Sequence, residues 1–141
     1  MNKTILLKAP THGTAFRMES IDFPEGGGSN LDFFYSTIGC EFVDIVPAYA
    51  LERDYNMKGF DLVVDDEGLI LGKPINPLAS FLYGYLEHGQ PLCGDVLVCK
   101  RVETPEGYIT GGLEMSDLVD VASAMDKLVR KHNKRVGGKK P

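Results

Sequence analysis

The sequence predicts a single α+β domain, and three observations support that prediction. The chain has 141 residues, a length that suits one domain and lets it bury roughly two-thirds of the surface that an unfolded chain exposes. Short apolar runs bounded by turn residues recur along it and indicate a mixed or antiparallel sheet with β-hairpins. Two stretches, at about 76–88 and 116–135, instead have apolar residues at helical spacing. We therefore expect one domain over residues 1–135 and a flexible basic tail over 136–141.

The first two predicted strands lie near the N-terminus. Residues 3–9 alternate weakly before Pro10, and residues 15–23 follow a turn. The side chains of the second strand that we expect to face inward are Phe16, Met18 and Ile21. The glycine-rich residues 24–30 are interpreted as a connector, because they lack the Lys-Ser/Thr that completes a phosphate-binding loop.

A short helix and a strand are predicted next. Ser29 or Asn30 can cap a helix over residues 31–38, and Gly39 is its natural end. Residues 40–47 are rich in Phe, Val and Ile, which predicts a strand with both faces partly covered.

A hairpin is expected over residues 60–71. Two apolar runs, residues 60–65 and 69–71, flank a short turn that contains Gly68. Apolar runs joined in this way are typical of a β-hairpin.

The helix predicted over residues 76–88 has the clearest boundaries. Asn76 supplies the N-cap, Pro77 occupies the first helical position, and Gly89 follows the last residue. The residues that we expect to form its buried stripe are Leu78, Phe81, Leu82, Tyr85 and Leu86.

The last elements are a hairpin and an amphipathic helix. Residues 95–103 and 108–110 are predicted to pair across a turn at residues 104–107. The C-terminal helix, over about 116–135, has acids near its start and Lys near its end, which suits the helix dipole. Its apolar residues with helical spacing are Leu118, Val121, Ala122, Met125, Leu128 and Val129.

Charge is divided unevenly along the chain. Residues 126–141 contain seven Lys and Arg against one Asp, a net charge of +6, so residues 1–125 carry −11. The basic side chains Arg130, Lys131, Lys134 and Arg135 are candidates for contact with nucleic acid or with a protein partner, including a second copy. The acidic residues 1–125 repel nucleic acid at long range, so we favour contact with a protein over contact with nucleic acid.

The composition indicates a cytoplasmic protein. No apolar run is long enough to span a membrane, and the apolar core near the N-terminus is too short for a secretory signal. The three cysteines lie in apolar stretches without paired spacing, so we expect reduced, buried thiols.

Few residues form a pattern that indicates chemistry. The histidines lie in separate segments without zinc-ligand spacing, so we expect no metal site. We likewise expect no cofactor and no catalytic residue. Asp65, Asp66 and Glu67 are candidate ligand-binding acids, although solvated acids also belong in a hairpin turn. Asn76, at a helix N-terminus, and Tyr83 are the other candidate ligand contacts.

Four segments together resemble a known family. They are Ile38-Gly39-Cys40-Glu41-Phe42-Val43-Asp44, Leu62 to Gly68, Asn76-Pro77-Leu78-Ala79, and Gly94 to Val98, in that order over roughly residues 31–103. The chain resembles a family of small uncharacterised proteins common in phages, plasmids and actinobacteria. Members usually have a second glycine where Cys40 stands, which argues against a catalytic Cys40. The resemblance implies a mobile-element accessory protein and carries over no active site.

Three functions follow as hypotheses. The first is a non-enzymatic accessory protein of the phage or plasmid type that binds a host protein or sequesters a small ligand in the host cytoplasm, with a homodimer as one form. The second is a small metal-dependent enzyme that uses Asp65, Asp66 and Glu67. The third is a nucleic-acid accessory factor that acts through the basic tail.

Overall fold

The computed structural model describes residues 2–10, 17–24 and 30–137, with side chains as far as Lys131. Within these ranges it contains six strands and five helices, as expected for an α+β domain. The elements in chain order are β1 (Lys3–Lys8), β2 (Arg17–Asp22), α1 (Leu31–Ile38), β3 (Val43–Pro47), α2 (Tyr49–Tyr55), β4 (Phe60–Asp65), α3 (Pro77–Tyr83), α4 (Tyr85–His88), β5 (Val96–Thr104), β6 (Gly107–Gly111) and α5 (Met115–Gly137).

The strands form one antiparallel sheet with the order β2-β1-β5-β4-β3. β6 pairs with the second half of β5, where Thr104 lies opposite Gly107, so the predicted C-terminal hairpin is confirmed. The sheet is therefore antiparallel throughout the described strands, which decides between the two arrangements that the sequence allowed.

Helices cover both faces of this sheet. On one face α2, α3 and α5 pack on side chains such as Leu7, Leu62 and Val98. On the other face α1 packs through Phe34 and Ile38 on the opposite set of strand residues. All six residues of β4 are buried, because this central strand has a neighbour on each side and helices on both faces.

The prediction of a hairpin over residues 60–71 is wrong. β4 forms as expected, but it pairs with β3 and β5, and residues 66–72 form a series of turns. Gly68 lies so close to Cys93 that a Cβ atom built there would come within 2.6 Å of the Cys93 carbonyl oxygen. Local hydrogen bonds also satisfy the turn backbone, including those from the N–H of Leu71 to the Glu67 carbonyl at 2.9 Å and of Lys73 to the Gly68 carbonyl at 2.9 Å.

The helix predicted over residues 76–88 begins and ends as expected but is broken in the middle. Gly84 has a left-handed backbone with φ of 76°, ends α3 and precedes the short helix α4. The break rotates the second part away from the core, so the prediction of a single buried stripe is wrong: Leu86 is 79% exposed and Tyr85 is half-buried. The preceding helix α2 was not predicted.

The two edge strands are more exposed than the sequence suggested. In β2, Met18 is 46% exposed whereas Ile21 is partly buried, and Phe16 lies outside the described residues. β3 begins at Val43, after the exposed Phe42, and Ile45 within it is 41% exposed. Both faces of this strand are nevertheless partly covered, as expected, because Val46 packs on one core and Val43 on the other.

The backbone of β3 is protected against pairing with another strand. The Asp44 carboxylate accepts the Ile45 N–H at 2.9 Å, and Pro47 has no N–H. Both features reduce the number of free backbone N–H groups with which this edge strand could pair with a strand of another molecule.

The C-terminal helix α5 is confirmed and buries its predicted stripe. Val121, Met125 and Leu128 lie in the main core. Asp117, near the helix start, pairs with Lys100 of β5 at 3.1 Å, and its carboxylate accepts the Glu114 N–H at 3.0 Å. The helix continues to Gly137, and residues 138–141 of the predicted tail lie outside the described residues. Among the helices that the structure describes, none has the length and apolar character needed to cross a bilayer.

Candidate functional site

An open groove runs between the edge strand β3 and the end of α3, α4 and the loop that follows them. Its volume is about 350 Å³. Asp44 and Val46 of β3 lie on one side, Tyr83 and His88 on the other, and Asp66 and Leu69 of the turn region at one end. None of the described residues that line it is Lys or Arg. The groove brings together Tyr83, Asp65 and Asp66, three of the candidate ligand residues that the sequence indicated.

Three rings form an aromatic trio beside this groove. The rings of Tyr49 and His88 stack with centroids 3.9 Å apart and planes 22° apart. Tyr83 lies 5.8 Å from Tyr49 and 5.9 Å from His88. The break at Gly84 brings His88 back toward α2, and a Cβ atom on this glycine would lie 3.4 Å from the imidazole. The faces of tyrosine rings attract cations, and Tyr83 is the tyrosine of this trio that lines the groove.

Two exposed carboxylates belong to the same groove. The alternation of β3 turns Asp44 toward the side of the sheet on which Val64 lies. Asp66 lies next to β3, because its N–H donates to the Phe42 carbonyl at 3.0 Å. Neither carboxylate belongs to an ion pair among the residues described, so their charges are not neutralised within the domain.

Asp65 has a different environment from its neighbours. Its side chain is 1% exposed and forms an ion pair with the Lys73 ammonium. Asp65 Oδ1 also accepts the Glu67 N–H at 2.9 Å, and Lys73 Nζ donates to the Gly39 carbonyl at 2.9 Å. The interpretation of this cluster as solvated acids in a turn is therefore wrong for Asp65, which is buried and pairs with the turn's own lysine.

The three adjacent acids do not converge on one point. Asp65 points inward, Asp66 lines the groove, and Glu67 is half-buried outside the groove lining. Within the described ranges, no group of three His, Cys, Asp or Glu side chains is arranged to hold a metal ion.

Asn76 is completely buried and fully occupied by hydrogen bonds within the domain. Its Oδ1 accepts the Ala79 N–H at 3.1 Å, as the predicted N-cap of α3. Its Nδ2 donates to the carbonyls of Leu7 and Gly94, both at 2.9 Å. The side chain has no face turned to solvent, so Asn76 connects three segments and the structure does not place it at the groove.

The basic residues of α5 whose side chains are described do not line the groove. Arg130 pairs with Asp126 one turn earlier at 3.0 Å. Lys131 is exposed beside a second, separate pocket that includes Arg53 and Glu87. The side chains of Lys134 and Arg135 lie outside the described part of the chain.

The three cysteines are free thiols with raised pKa values. Burial raises the pKa of Cys99 to about 12, and the nearby Asp61 carboxylate adds to this effect. Burial likewise raises the pKa of Cys93, and burial followed by the Asp65 carboxylate raises that of Cys40. A raised pKa means less thiolate at neutral pH, which argues against a nucleophilic cysteine.

Alkylation should reveal this protection. We expect the folded protein at pH 8 to react with iodoacetamide much more slowly than the same protein in guanidinium chloride, with Cys99 the slowest because it is the most buried and has the highest pKa. Peptide mass spectrometry over time would measure each rate. Rapid native alkylation of Cys99 would contradict its placement in the core.

Three residues of the groove or of the aromatic trio beside it were not singled out from the sequence as ligand contacts. Tyr49 belongs to the unpredicted helix α2, Asp44 was placed only in a strand, and His88 was assigned to a helix end. They come from three segments, and no spacing along the chain relates them.

The segments that carried the family resemblance meet at one corner of the domain. Gly39 and Asp65 are joined by Lys73, and Gly94 donates its N–H to the Pro74 carbonyl at 2.7 Å. Gly94 has φ of 86°, and a Cβ atom there would lie 3.1 Å from the Lys73 side chain. Much of the motif thus has an architectural role at this junction.

A family model matches most of this chain. The model described as "Domain of unknown function (DUF3846)" matches residues 2–121, which extends beyond the motifs at both ends and stops before the basic half of α5. Neither the curated proteins nor the solved structures gave a match. The matched residues are most of the chain, and the protein therefore belongs to the DUF3846 family of domains of unknown function.

Proposed function

We propose that this protein is a non-enzymatic binding protein that holds a positively charged group of its ligand or partner in the groove. One observation supports this most strongly: the Tyr83 ring and two carboxylates without ion pairs, Asp44 and Asp66, line the same open groove. Ring faces and unpaired carboxylates both attract cations. Either a small cationic ligand or a basic side chain of a host protein would satisfy this arrangement.

The biological setting remains that of the first hypothesis from the sequence. An accessory protein encoded by a phage or plasmid would act in the host cytoplasm by binding a host component. The net charge of −11 over residues 1–125 favours encounter with basic partners, because complementary charge accelerates association.

A titration with a small cation tests the groove directly. We expect Nα-acetyl-arginine amide to shift the backbone amide resonances of Tyr83, His88 and Gln90 in ¹⁵N-labelled protein, whereas Nα-acetyl-glutamate amide leaves them unchanged. A ligand of this size should bind with a dissociation constant on the order of 1 mM.

Charge removal supplies the matched comparison. The double variant Asp44→Asn/Asp66→Asn should weaken binding of the arginine amide about fivefold to tenfold, because each exposed carboxylate contributes up to about 1 kcal/mol. Asp120→Asn, an exposed acid on α5, should leave binding unchanged. The proposal fails if the arginine amide does not shift the groove resonances or if both variants bind alike. Conversion of a metabolite by the purified protein would contradict its non-enzymatic character.

A further inference from the structure

Three consecutive large apolar side chains are held in solvent at one end of the groove. Leu69 is 48% exposed, Ile70 84% and Leu71 62%. We call residues 69–71 the apolar loop. The exposed Phe42 lies next to Asp66, three residues before the loop, because the Phe42 carbonyl accepts the Asp66 N–H. The strands and helices of the domain bury their apolar residues in two cores, and these exposed side chains add nothing to its stability. A run of exposed apolar residues of this kind marks an interaction surface.

The apolar loop is pre-organised by the residues around it. The N–H groups of Leu71 and Gly72 donate to the carbonyls of Glu67 and Leu69 at 2.9 and 3.2 Å. Lys73 closes the segment through its ion pair with the buried Asp65. A loop that is already ordered loses little conformational entropy when it binds a partner. More of the free energy from burying its apolar surface therefore contributes to affinity.

Acidic residues precede the apolar loop and lie next to Phe42. Asp66 and Glu67 precede it, and Glu41 lies in the segment that joins α1 to β3, next to Phe42. The lysine of the same loop, Lys73, is already paired with Asp65. The surface that complements this loop is therefore an apolar pocket bordered by Lys and Arg.

The same charges argue against two other occupants. A second copy is acidic overall at −5, with its +6 confined to residues 126–141 and −11 over its first 125 residues, so most of its surface would meet these acids with like charge. An anionic membrane would repel the acids in the same way. A basic partner protein satisfies both the apolar side chains and the charges.

We propose that the apolar loop anchors this protein in an apolar pocket of a different protein, and that Lys and Arg border that pocket. This inference rests on the proposed function, because Leu69 lines the groove, and it deepens it by assigning the partner class and the side chains that carry affinity. The partner's basic side chains reach Asp44 and Asp66 while its pocket receives Ile70.

Selection from a library of random peptides tests the proposal without knowledge of the host. With the immobilised full-length chain as bait, the enriched peptides should combine apolar residues with flanking Lys or Arg. Ile70→Ser should weaken their binding at least tenfold, as expected for an anchor residue. Leu86→Ser is the matched control, since Leu86 is an aliphatic residue of similar exposure, 79%, on α4. Neither exposed substitution should shift the melting temperature appreciably, which thermal melts would verify.

Each other outcome overturns the anchor role. Failure to enrich any peptide, enrichment of acidic or uniformly polar peptides, or equal binding to Ile70→Ser would each do so. Peptides that depend on Asp44 and Asp66 but not on Ile70 would leave the groove function intact and remove the anchor. Sedimentation that shows a dimer dissociated by Ile70→Ser would assign the loop to a second copy. Binding to phosphatidylcholine–phosphatidylglycerol vesicles that the same variant abolishes would assign it to a membrane.

Discussion

Lys73→Met should lower the free energy of unfolding by about 3 kcal/mol, because it leaves the buried Asp65 carboxylate without its counter-charge. Removal of one partner from a buried ion pair generally costs about 3–5 kcal/mol. The lower end applies here because the Lys73 side chain is 25% exposed, so some water can reach the vacated position. The Lys73 bond to the Gly39 carbonyl is lost as well, which frees residues 66–73 from the end of α1. Urea denaturation monitored by circular dichroism would measure the change.

The double variant Asp65→Asn/Lys73→Met separates the charge effect from lost packing. If the unpaired carboxylate is the main cost, the double variant should be more stable than Lys73→Met alone, because the asparagine is neutral and still accepts the Glu67 N–H. If the double variant is no more stable than the single variant, the ion pair is not what holds this turn. Asp120→Asn, at an exposed site, controls for a change in net charge.

The same variant links the fold to the proposed partner surface. Lys73 fixes the segment that presents Leu69, Ile70 and Leu71, so the methionine variant should show faster amide exchange at Leu71 and Gly72. Peptides selected on the wild-type chain should bind it more weakly, although no contact residue has changed, because the loop then has to be ordered on binding.

Elements with a local signal at each end were predictable from the sequence. Asn76-Pro77 marks the start of α3, and the turn at residues 104–107 lies between two strands that pair with each other. The α5 helix was also predictable, since its apolar spacing persists over several turns and Val121 and Met125 pack in the core as expected.

Where the predictions failed, contacts between distant segments decided the structure. Leu69-Ile70-Leu71 has the composition of a strand, yet this segment forms turns. Two contacts hold it there: Gly68 packs closely against Cys93, and Lys73 forms an ion pair with Asp65. The break at Gly84 likewise brings His88 beside Tyr49, a contact between residues that are far apart in the chain. Contacts of this kind, between segments distant in the chain, form the groove. Its acids and Tyr83 could be suggested as ligand contacts from the sequence, but their arrangement in space could not.

Asn76→Ala should lower the free energy of unfolding by about 2–4 kcal/mol, although the substitution removes no charge and only a small side chain. The buried amide supplies one acceptor and two donors to the backbone, at Ala79, Leu7 and Gly94. Alanine removes these three hydrogen bonds in a site that is closed to water, and a buried group left unsatisfied costs about 1–3 kcal/mol before any relaxation. Some rearrangement should reduce the sum to the stated range.

A second asparagine at a helix start provides the control. Asn30 precedes α1 in the N-cap position but makes no side-chain capping bond, and its only described side-chain contact is a long one, 3.4 Å, to the Thr110 carbonyl. Asn30→Ala should therefore cost less than about 0.5 kcal/mol in the same urea titration. If the two variants lose similar stability, the buried hydrogen bonds of Asn76 contribute little, and Asn76 does not join β1, α3 and the segment before β5. A large loss confined to Asn76→Ala would instead explain in physical terms why Asn76-Pro77 and Gly94-Asp95 occur together in this chain: the amide of the first segment needs the carbonyl of the second.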